Sequence, residues 1–306
     1  MKTKVFLSTA LLLTVIAAPK LNAWGRIGHA TIAQIAEKHS SAKTLEKVKE
    51  YLKGETITAV ATDADTKRGE WAMDVGFVPA NADKYRYSFM TDFDFDSPKN
   101  ILPVTHAITI KTDGKPWRTD RDGDNYVECA ALYVERWAKE LRENGDNMDP
   151  DERLRKLSLI IHLIGDMHCP GHISFDGRND KFGKFIVQYR GESITYHLFW
   201  DKTIFNGDSI FSITDGVLLT DTATPQEQKM ITKGNIWDWA EDCGKVCLPA
   251  YLSVPEDRNL PYSFAMDMRP ILYTQLRNAG YRLAALLDSI FSSPGDSSTL
   301  LDNDGE

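Results

Sequence analysis

The 306-residue sequence lacks several features that mark common classes of protein. It has no internal repeat and, beyond its N-terminus, no apolar run of about 18 residues, so neither a repeat array nor a membrane-spanning helix is predicted there. Basic residues are outnumbered by acidic ones, 36 against 44, which gives a formal net charge of −8. This balance argues against a protein that follows nucleic-acid phosphates with a basic groove. It does not exclude one that holds phosphates with metal ions.

The N-terminus has the features of a secretory leader. Two lysines precede an apolar run over residues 5–18, and the small residue Ala23 is an acceptable last residue before cleavage. We therefore expect residues 1–23 to be a signal peptide and Trp24 to begin the mature chain. Removing the three lysines of the leader moves the formal charge from −8 to about −11. The mature protein is expected to be exported, periplasmic or secreted, with no stable membrane association.

Cysteine is scarce, with only four residues in the whole chain. They are Cys129, Cys169, Cys243 and Cys247. In an oxidising compartment one or two disulfides are expected among these residues. Three full connectivities are possible, and the sequence does not choose between them.

The hydrophobic periodicity predicts a mainly α protein with one small β-hairpin. Helices are expected over residues 27–37, 42–53, 127–143, 152–168, 225–233, 236–252 and 262–291. The hairpin is predicted in "KFIVQYRGESITYHLFW", turning near Gly191. Residues 60–126 are rich in Asp, Gly and Pro and are expected to be irregular. We expect one domain over residues 24–291, followed by a polar, disordered tail over residues 292–306.

The segment "LSLIIHLIGDMHCPGH" carries the main chemical signal. It is apolar nearly all round, which predicts a buried helix, yet it contains His162 and Asp166 four residues apart and therefore on one helical face. His172 follows after a helix-breaking Pro-Gly pair, and His197 with Asp201 repeats the same spacing downstream. One such pair is usually a satisfied hydrogen bond, but two pairs with a further histidine favour a zinc site.

Two other histidines lack such neighbours in the sequence. His39 stands at a predicted helix end, and His106 follows the stretch "ILPVT". We expect both to be ordinary surface or loop histidines.

Four motifs in this order resemble the zinc-dependent S1/P1 nuclease family. They are "WGRIGH" at residues 24–29, "ATDAD" at 61–65, "HLIGDMHCPGH" at 162–172 and "HLFWD" at 197–201. The resemblance implies a single helical domain of the phospholipase C / P1 nuclease type. It implies three zinc ions, held by three sets of ligands: Asp65, His162 and Asp166; Trp24, His29 and the shared Asp166; and His172, His197 and Asp201.

The resemblance also implies a chemistry. The free α-amino group and carbonyl oxygen of Trp24 would chelate zinc, so the uncut precursor should be inactive. Asp65, Asp166 and the nearby Arg68 are the expected catalytic residues. Zinc ions activate water to cleave single-stranded DNA or RNA into 5′-phosphate products, and related enzymes often remove 3′-phosphates from nucleotides. Substrate bases would stack on an aromatic side chain. The candidates are Phe77, Tyr85, Phe182 and Tyr189.

The chain departs from the family pattern at one stretch. In the family an H-[FY]-x-D sequence supplies a further zinc-ligating histidine and an aspartate that orients the attacking water. In the local counterpart "YSFMTD" these positions hold Ser88 and Thr91, and a shift of one residue recovers Asp92 but puts Phe89 at the ligand position. Lys184 likewise stands at a family asparagine position. A missing imidazole lowers metal affinity, so catalysis is expected to be weakened or absent unless His106 supplies a ligand from the adjacent loop.

Two alternatives to an active nuclease remain. The departures at Ser88 and Thr91 are compatible with a catalytically impaired homologue that binds nucleotides or nucleic acid without hydrolysing them. A related zinc phospholipase C shares the terminal tryptophan and the fold, although that family has a glutamate where this chain has Asp201. A zinc that merely stabilises the fold is disfavoured, because a chain of this length can build a core without metal. The substrate is the expected partner, and no obligate protein partner is predicted.

Overall fold

The computed structural model describes residues 24–67, 106–118, 129–178, 183–207, 212–291 and 299–302. Within these residues the chain is mainly helical and has two small two-stranded sheets, which confirms the predicted fold class. None of the helices in the described part combines the length and hydrophobicity that crossing a bilayer requires. The predicted leader lies outside the described residues.

The helices largely follow the periodicity of the sequence. In chain order they are α1 (Gly25–His39), α2 (Ala42–Tyr51), α3 (Ile57–Val60), α4 (Asp63–Thr66), α5 (Ala130–Asn144), α6 (Pro150–Met167), α7 (Tyr196–Leu198), α8 (Ile204–Gly207), α9 (Ile213–Thr220), α10 (Pro225–Ile231), α11 (Ile236–Leu252), α12 (Phe264–Asp267), α13 (Arg269–Ile290) and α14 (Thr299–Asp302). The single helix predicted over residues 262–291 is therefore divided into α12 and α13. The helix α9 was not predicted from the sequence.

Capping residues explain where several helices begin. Asp149 caps α6 by accepting hydrogen bonds from the next two backbone N–H groups, and Pro150 occupies the first helical position. Asn235 and Asp238 form a reciprocal capping box at the start of α11. These local signals fix the entry of two long helices that lie beside the polar cluster described below.

The predicted hairpin is confirmed. Strand β3 (Ile186–Tyr189) pairs antiparallel with β4 (Glu192–Thr195), and the two turn residues Arg190 and Gly191 both have positive φ angles, 52° and 85°. This conformation matches the twist of a two-residue hairpin loop. The strands lead directly into α7 and a π-helical turn, Phe199–Thr203.

A second sheet was not predicted from the sequence. Strand β1 (Ile108–Ile110) pairs in parallel with β2 (Ile173–Phe175). The pairing joins two segments that residues 111–172 separate in sequence. Each strand has only three residues, which is too short to produce a recognisable alternation. This pairing places His106, two residues before β1, against the 3-10 turn Pro170–His172 that precedes β2.

The core is organised around α6 and α1. Helix α1 packs against α13 and α9, and α5 packs against α6. The second half of α6, from Leu157 to Met167, is buried on every side, as its apolar sequence predicts. Polar side chains in this half of α6 are thus removed from water and must find partners within the protein.

The disulfide prediction is wrong for this structure, because all four cysteines are free and buried. Cys243 and Cys247 lie one turn apart on α11, where Cβ atoms are about 5–6 Å apart, whereas a disulfide needs about 3.5–4.5 Å. Cys129 precedes α5, and its sulfur lies 3.5 Å from the carbonyl oxygen of Trp117. Cys169 lies beside the polar cluster.

The prediction of a disordered tail is also wrong over part of its length. Residues 299–302 form α14, in which the side chains of Leu300 and Leu301 are buried. These leucines provide the apolar surface with which α14 packs against α13 and α5. The rest of residues 292–306 lies outside the described residues.

Candidate metal centre

Segments that are distant in sequence bring imidazoles and carboxylates together beside the end of α6. The residues are Trp24 and His29 at the start of α1, Asp65 in α4, His106 before β1, His162 and Asp166 in α6, His172 in the 3-10 turn, and His197 and Asp201 after β4. All are largely buried, and the most exposed side chain is that of His197 at 17%. Each of the eight predicted metal ligands therefore reaches this cluster.

The first group is built around Asp166 and comprises Asp65, His29, His106 and His162. As their spacing predicts, His162 and Asp166 share a helical face, and the His162 Nε2 atom lies 3.1 Å from Asp166 Oδ2. The other oxygen of Asp166, Oδ1, lies 3.3 Å from His29 Nε2. Asp65 Oδ2 lies 3.6 Å from His162 Nε2. One carboxylate is thus shared between two imidazoles from different helices.

The stacking of His29 on His162 depends on a glycine. The two rings are parallel, with centroids 4.0 Å apart. A Cβ atom added to Gly165 would lie 2.7 Å from His29 Nδ1, which is closer than real contacts allow. Gly165 therefore lets α1 approach α6 closely enough for both imidazoles to reach Asp166.

The expectation for His106 is wrong. Its side chain is only 9% exposed, and its Nδ1 atom lies 2.9 Å from Asp166 Oδ2 and 3.9 Å from Asp65 Oδ1. The ring also contacts that of His162 edge to face, with centroids 5.1 Å apart. His106 joins the cluster because β1 pairs with β2, whose partner residues are 65 apart in sequence, and local patterns do not reveal this contact.

His106 brings to the first group an imidazole that does not come from the stretch "YSFMTD". Ser88 and Thr91 of that stretch lie outside the described residues.

The second group comprises His172, His197 and Asp201. The His197 Nε2 atom lies 2.9 Å from Asp201 Oδ2, and the His172 Nε2 atom lies 3.8 Å from Asp201 Oδ1. The two imidazole rings have centroids 4.4 Å apart. The π-helical turn after α7 carries Asp201, so that the predicted pair faces the 3-10 turn after α6.

Trp24 connects α1 to the second group. Its indole is fully buried and donates a 2.7 Å hydrogen bond to the carbonyl oxygen of Gly165. Its backbone nitrogen lies 3.2 Å from Asp201 Oδ1, and the residue has a left-handed conformation with φ of 42°. The next residue, Gly25, also has positive φ, and a Cβ there would lie 2.5 Å from the Asp201 carbonyl oxygen. The start of α1 is thereby fixed against the cluster.

Backbone carbonyl oxygens orient several of the imidazoles. The contacts from ring Nδ1 to carbonyl oxygen are His162 to Ala61 at 2.8 Å, His172 to His106 at 2.8 Å and His197 to Gly171 at 2.9 Å. Such a bond keeps the proton on Nδ1 and leaves the Nε2 lone pair free. In all three residues Nε2 is the atom that faces the carboxylates.

Burial and charge act against each other in the first group. Burial opposes protonation of His162, but the Asp166 and Asp65 carboxylates outweigh it and raise the pKa of His162 to about 9. Although burial works in the opposite direction, the surrounding histidines hold the pKa of Asp166 well below its usual range. Burial, together with the neighbouring His162, lowers the pKa of His29. In the metal-free group His162 is therefore the imidazole that carries a second proton and a positive charge at neutral pH.

The second group shows the effect of burial more directly. Burial raises the pKa of Asp201 to about 6, against the opposing effect of His197. Burial also lowers the pKa of His172 well below its usual range. A neutral His172 side chain is the form that binds a metal.

Unsatisfied atoms test whether the cluster fits metal ions. Several buried ligand atoms have no well-formed hydrogen bond: Nε2 of His29, His162 and His172, Oδ2 of Asp65 and Asp201, and both carboxylate oxygens of Asp166. The cluster contains three sets of residues, and within each set the potential ligand atoms lie within 4.8 Å of one another. The sets are His29, Asp65 and His162; His106, His162 and Asp166; and Cys169, His172 and Asp201. These atoms approach one another at 2.9–3.8 Å without well-formed hydrogen bonds, and divalent cations between them would satisfy them together. The mixture of nitrogen and oxygen donors fits zinc.

The structure places the remaining candidates as follows. Tyr189 is only 2% exposed, so it cannot offer a face to a substrate base, and that prediction is wrong. Lys184 is exposed. His39 forms a 2.8 Å ion pair with Asp221, as expected for a histidine with an ordinary structural role. Other predicted residues lie outside the described residues: Arg68, Phe77, Tyr85, Phe89, Asp92 and Phe182.

Comparisons with known proteins give the class of the chain. A family model described as S1/P1 Nuclease matches residues 24–292, and the chain belongs to this family. Nuclease S1 of Aspergillus oryzae (strain ATCC 42149 / RIB 40) is 26% identical over 92% of this chain and 96% of that protein. Endonuclease 2 of Arabidopsis thaliana is 24% identical over 90% and 93% respectively, and Nuclease P1 of Penicillium citrinum is 20% identical over 88% and 98%.

Family membership agrees with the predicted phospholipase C / P1 nuclease type of fold. It also supports a nuclease function, which is the hydrolysis of phosphodiester bonds in nucleic acid. Among solved structures, the alpha-toxin of Clostridium perfringens isolated from avian strain SWCP aligns with a TM-score of 0.43 and 12% identity. That alignment covers 92% of this chain and 67% of the toxin chain.

Proposed function

We propose that this protein is a zinc-dependent nuclease that hydrolyses single-stranded DNA or RNA to 5′-phosphate products and removes 3′-phosphates from nucleotides. The observation that supports this most strongly is the set of buried imidazole and carboxylate atoms that face one another around Asp166 and Asp201 without well-formed hydrogen bonds. Bound zinc supplies Lewis acidity, which activates water and offsets negative charge on the phosphate. The protein would thereby hold phosphates without a basic surface.

The residues of the chain divide into holding and orienting roles. Asp65, His106, His162 and Asp166 would hold one ion, and His29 with Asp166 and Trp24 a second. His172, His197 and Asp201 would hold a third. Backbone carbonyls keep three of the imidazoles with Nε2 directed at the ions. Placing His106 among the ligands favours an active enzyme over an impaired binding homologue, because it supplies the imidazole that the family pattern requires.

One group of the family pattern is still missing. In the stretch "YSFMTD" Thr91 stands where the family has an aspartate, and a hydroxyl does not orient a water as a charged carboxylate does. Arg68, which we propose as a phosphate contact, lies outside the described residues. We therefore propose that turnover is slower than in relatives that carry the aspartate.

We further propose that cleavage after Ala23 completes the centre. The family match begins at residue 24, and the backbone nitrogen of Trp24 already lies 3.2 Å from Asp201 Oδ1. A peptide nitrogen has no free lone pair for a metal, whereas a terminal amine does. The segment of residues 1–23 would then act as an export signal whose removal also activates the enzyme.

The nuclease proposal is tested with the chain trimmed to begin at Trp24. Single-stranded DNA is incubated with the protein and zinc, and acid-soluble nucleotides and their 5′-phosphates are measured. Parallel reactions contain a chelator or the Asp166→Asn variant, or replace DNA with phosphatidylcholine. Zinc-dependent release of nucleotides by the wild type alone supports the proposal. Release of phosphocholine instead would show a phospholipase, and nucleotide binding without cleavage would show an impaired homologue.

The processing proposal needs a chain that differs only at its terminus. A protein that begins at Trp24 is compared with one that carries a single additional alanine before it. We expect the extended chain to bind less zinc and to lose most of its activity, because its Trp24 nitrogen is an amide. Equal activity of the two proteins would contradict the proposal.

A further inference from the structure

Cys169 occupies the link between the two groups of the cluster. It follows α6 by two residues and is fully buried. Its backbone nitrogen donates to the Asp166 carbonyl oxygen at 2.9 Å, and its carbonyl oxygen accepts from the His172 nitrogen at 2.9 Å. The backbone around the thiol is therefore fixed by bonds to one ligand residue of each group.

The sulfur atom points to the second group. Cys169 Sγ lies 3.7 Å from Asp201 Oδ1, and it lies within 4.8 Å of ligand atoms of both His172 and Asp201. The buried His172 Nε2 atom has no well-formed hydrogen bond, and the buried Asp201 Oδ2 atom faces the His197 Nε2 atom at 2.9 Å. A cation placed between these atoms would also meet the sulfur.

The other three cysteines provide an internal comparison. The Cys129 sulfur faces a backbone carbonyl oxygen, and the Cys247 sulfur lies 3.1 Å from the Gln275 side-chain nitrogen. The Cys243 sulfur lies 3.9 Å from a guanidinium nitrogen of Arg282. Of the four cysteines, all within the described residues, Cys169 alone belongs to a set of potential metal ligands.

We propose that Cys169 is a fourth protein ligand of the metal ion held by His172, His197 and Asp201. The thiol S–H bond breaks as the sulfur–metal bond forms, and the proton passes to solvent. This inference rests on the proposed zinc centre but is specific to the sulfur. A thiolate makes the second site softer than a site of imidazoles and carboxylates, so it should retain zinc more tightly than the first group.

Cobalt is the probe for this ligand. Metal-free protein that begins at Trp24 is titrated with Co²⁺, and near-ultraviolet absorption is followed for the charge-transfer band that a thiolate gives with Co²⁺. The variants are Cys169→Ser and the matched control Cys129→Ser, in which serine suits the position before α5. We expect the band in the wild type and Cys129→Ser and its loss in Cys169→Ser. The zinc affinity of the second site should fall by about 10- to 100-fold in Cys169→Ser.

Several results would contradict the inference. Co²⁺ binding without the band in the wild type would remove Cys169 from the site and leave the nuclease proposal intact. A band that survives in Cys169→Ser would assign the sulfur to another residue. A wild type that binds no Co²⁺ or zinc would overturn both proposals together.

A second measurement covers the case in which Cys169→Ser does not fold. Zinc X-ray absorption of the wild type should then show a sulfur shell at about 2.3 Å. The single serine variants of Cys129, Cys243 and Cys247 should retain the shell. Its absence from the wild type, or its loss in any of these three variants, would contradict the assignment to Cys169.

Discussion

Two buried histidine sites lie within one turn of each other at the end of α6, and they differ in how their polar atoms are satisfied. His162 and Asp166 belong to the proposed metal centre, where facing ligand atoms have no well-formed hydrogen bond. His168, only two residues after Asp166, has partners for both ring nitrogens. Its Nδ1 atom lies 2.7 Å from the Ile164 carbonyl oxygen, and its Nε2 atom lies 2.9 Å from an Arg282 guanidinium nitrogen.

The network around His168 extends to three other helices. Arg282 also donates to the carboxylate of Asp242 at 2.6 Å and to the carbonyl oxygen of Ile231 at 3.0 Å. Gln275 donates to the carbonyl oxygen of His168 at 2.9 Å. Burial, and then the charge of Arg282, lower the pKa of His168 well below its usual range, so it accepts as a neutral ring. We call these residues the arginine network.

The comparison separates structure from chemistry. Buried polar groups in folded proteins are normally paired, as in the arginine network, and such groups hold elements together. Groups left unpaired in a tight cluster indicate a missing partner, which for imidazoles and carboxylates is a cation. We therefore expect substitutions in the metal cluster to reduce metal binding and activity, whereas substitutions in the arginine network should reduce stability.

The largest effect is expected for Asp166→Asn. This change removes the negative charge that His29 and His162 share, so binding of both metal ions that Asp166 is proposed to hold should weaken severely. We expect nuclease activity to fall by on the order of 10³-fold. Initial rates on single-stranded DNA and metal content measured by atomic absorption check this. Wild-type activity in a folded variant would contradict the proposed role of Asp166.

Replacement of His106 tests the ligand that the sequence pattern missed. His106→Ala should reduce zinc affinity at the Asp65 site and activity by about 10- to 100-fold or more, because an imidazole is lost from the group. His39→Ala is the matched control, since His39 lies at the other end of α1 from His29 and contacts Asp221 there. The control should retain activity within about twofold. Equal effects of the two changes would show that His106 is not a ligand.

The pH dependence of the metal-free protein should report His162. Its pKa is about 9 when folded and 6.5 in its ordinary state, so its contribution to stability is fully present below 6.5 and is lost as pH rises through 9. With a chelator present, the free energy of unfolding should fall by up to about 3 kcal/mol over this interval.

His29 and His172 do not interfere, because their lowered pKa values affect stability below pH 6.5, outside the interval. Two controls accompany the measurement. In the variant His162→Gln the free energy of unfolding should fall less over the interval, and saturating zinc should oppose the fall in the wild type because the metal binds the neutral imidazole. Urea unfolding at several pH values gives the free energies. A flat profile for the chelated wild type would contradict the charge arrangement of the first group.

Among these predictions, the arginine network should affect stability but have little effect on activity. Arg282→Met removes a charged donor to His168 and Asp242 and should destabilise the protein by about 2 kcal/mol. At a temperature where the variant is folded, its metal content and activity should stay within about threefold of the wild type, because no proposed ligand is removed. Loss of zinc from the folded variant would contradict the claim that the arginine network contributes to stability and not to metal binding.

Much of the site was predictable because part of it is local. The pairs His162/Asp166 and His197/Asp201 are each four residues apart, which fixes their shared face before any tertiary contact forms. His168 lies only two residues from Asp166, and in the structure its ring faces Arg282 instead of the cluster. The helices and the hairpin likewise followed from periodicity and turn residues.

The parts that failed depend on contacts between distant segments. His106 reaches the cluster through a pairing of two three-residue strands, and neither strand is recognisable alone. Tyr189 has the aromatic ring that stacking on a base requires, but the packing of the hairpin buries that ring. The cysteines were expected to pair because of the expected compartment, whereas their pairing depends on geometry.

The most direct test of the account is anomalous X-ray scattering at the zinc edge from crystals of the chain trimmed to begin at Trp24. We predict three strong peaks: one between Asp65 and Asp166, one between His29 and Asp166, and one between His172 and Asp201. No peak is expected beside His168. A fully active crystal preparation without anomalous peaks in the cluster would contradict the central claim that these unpaired atoms hold zinc.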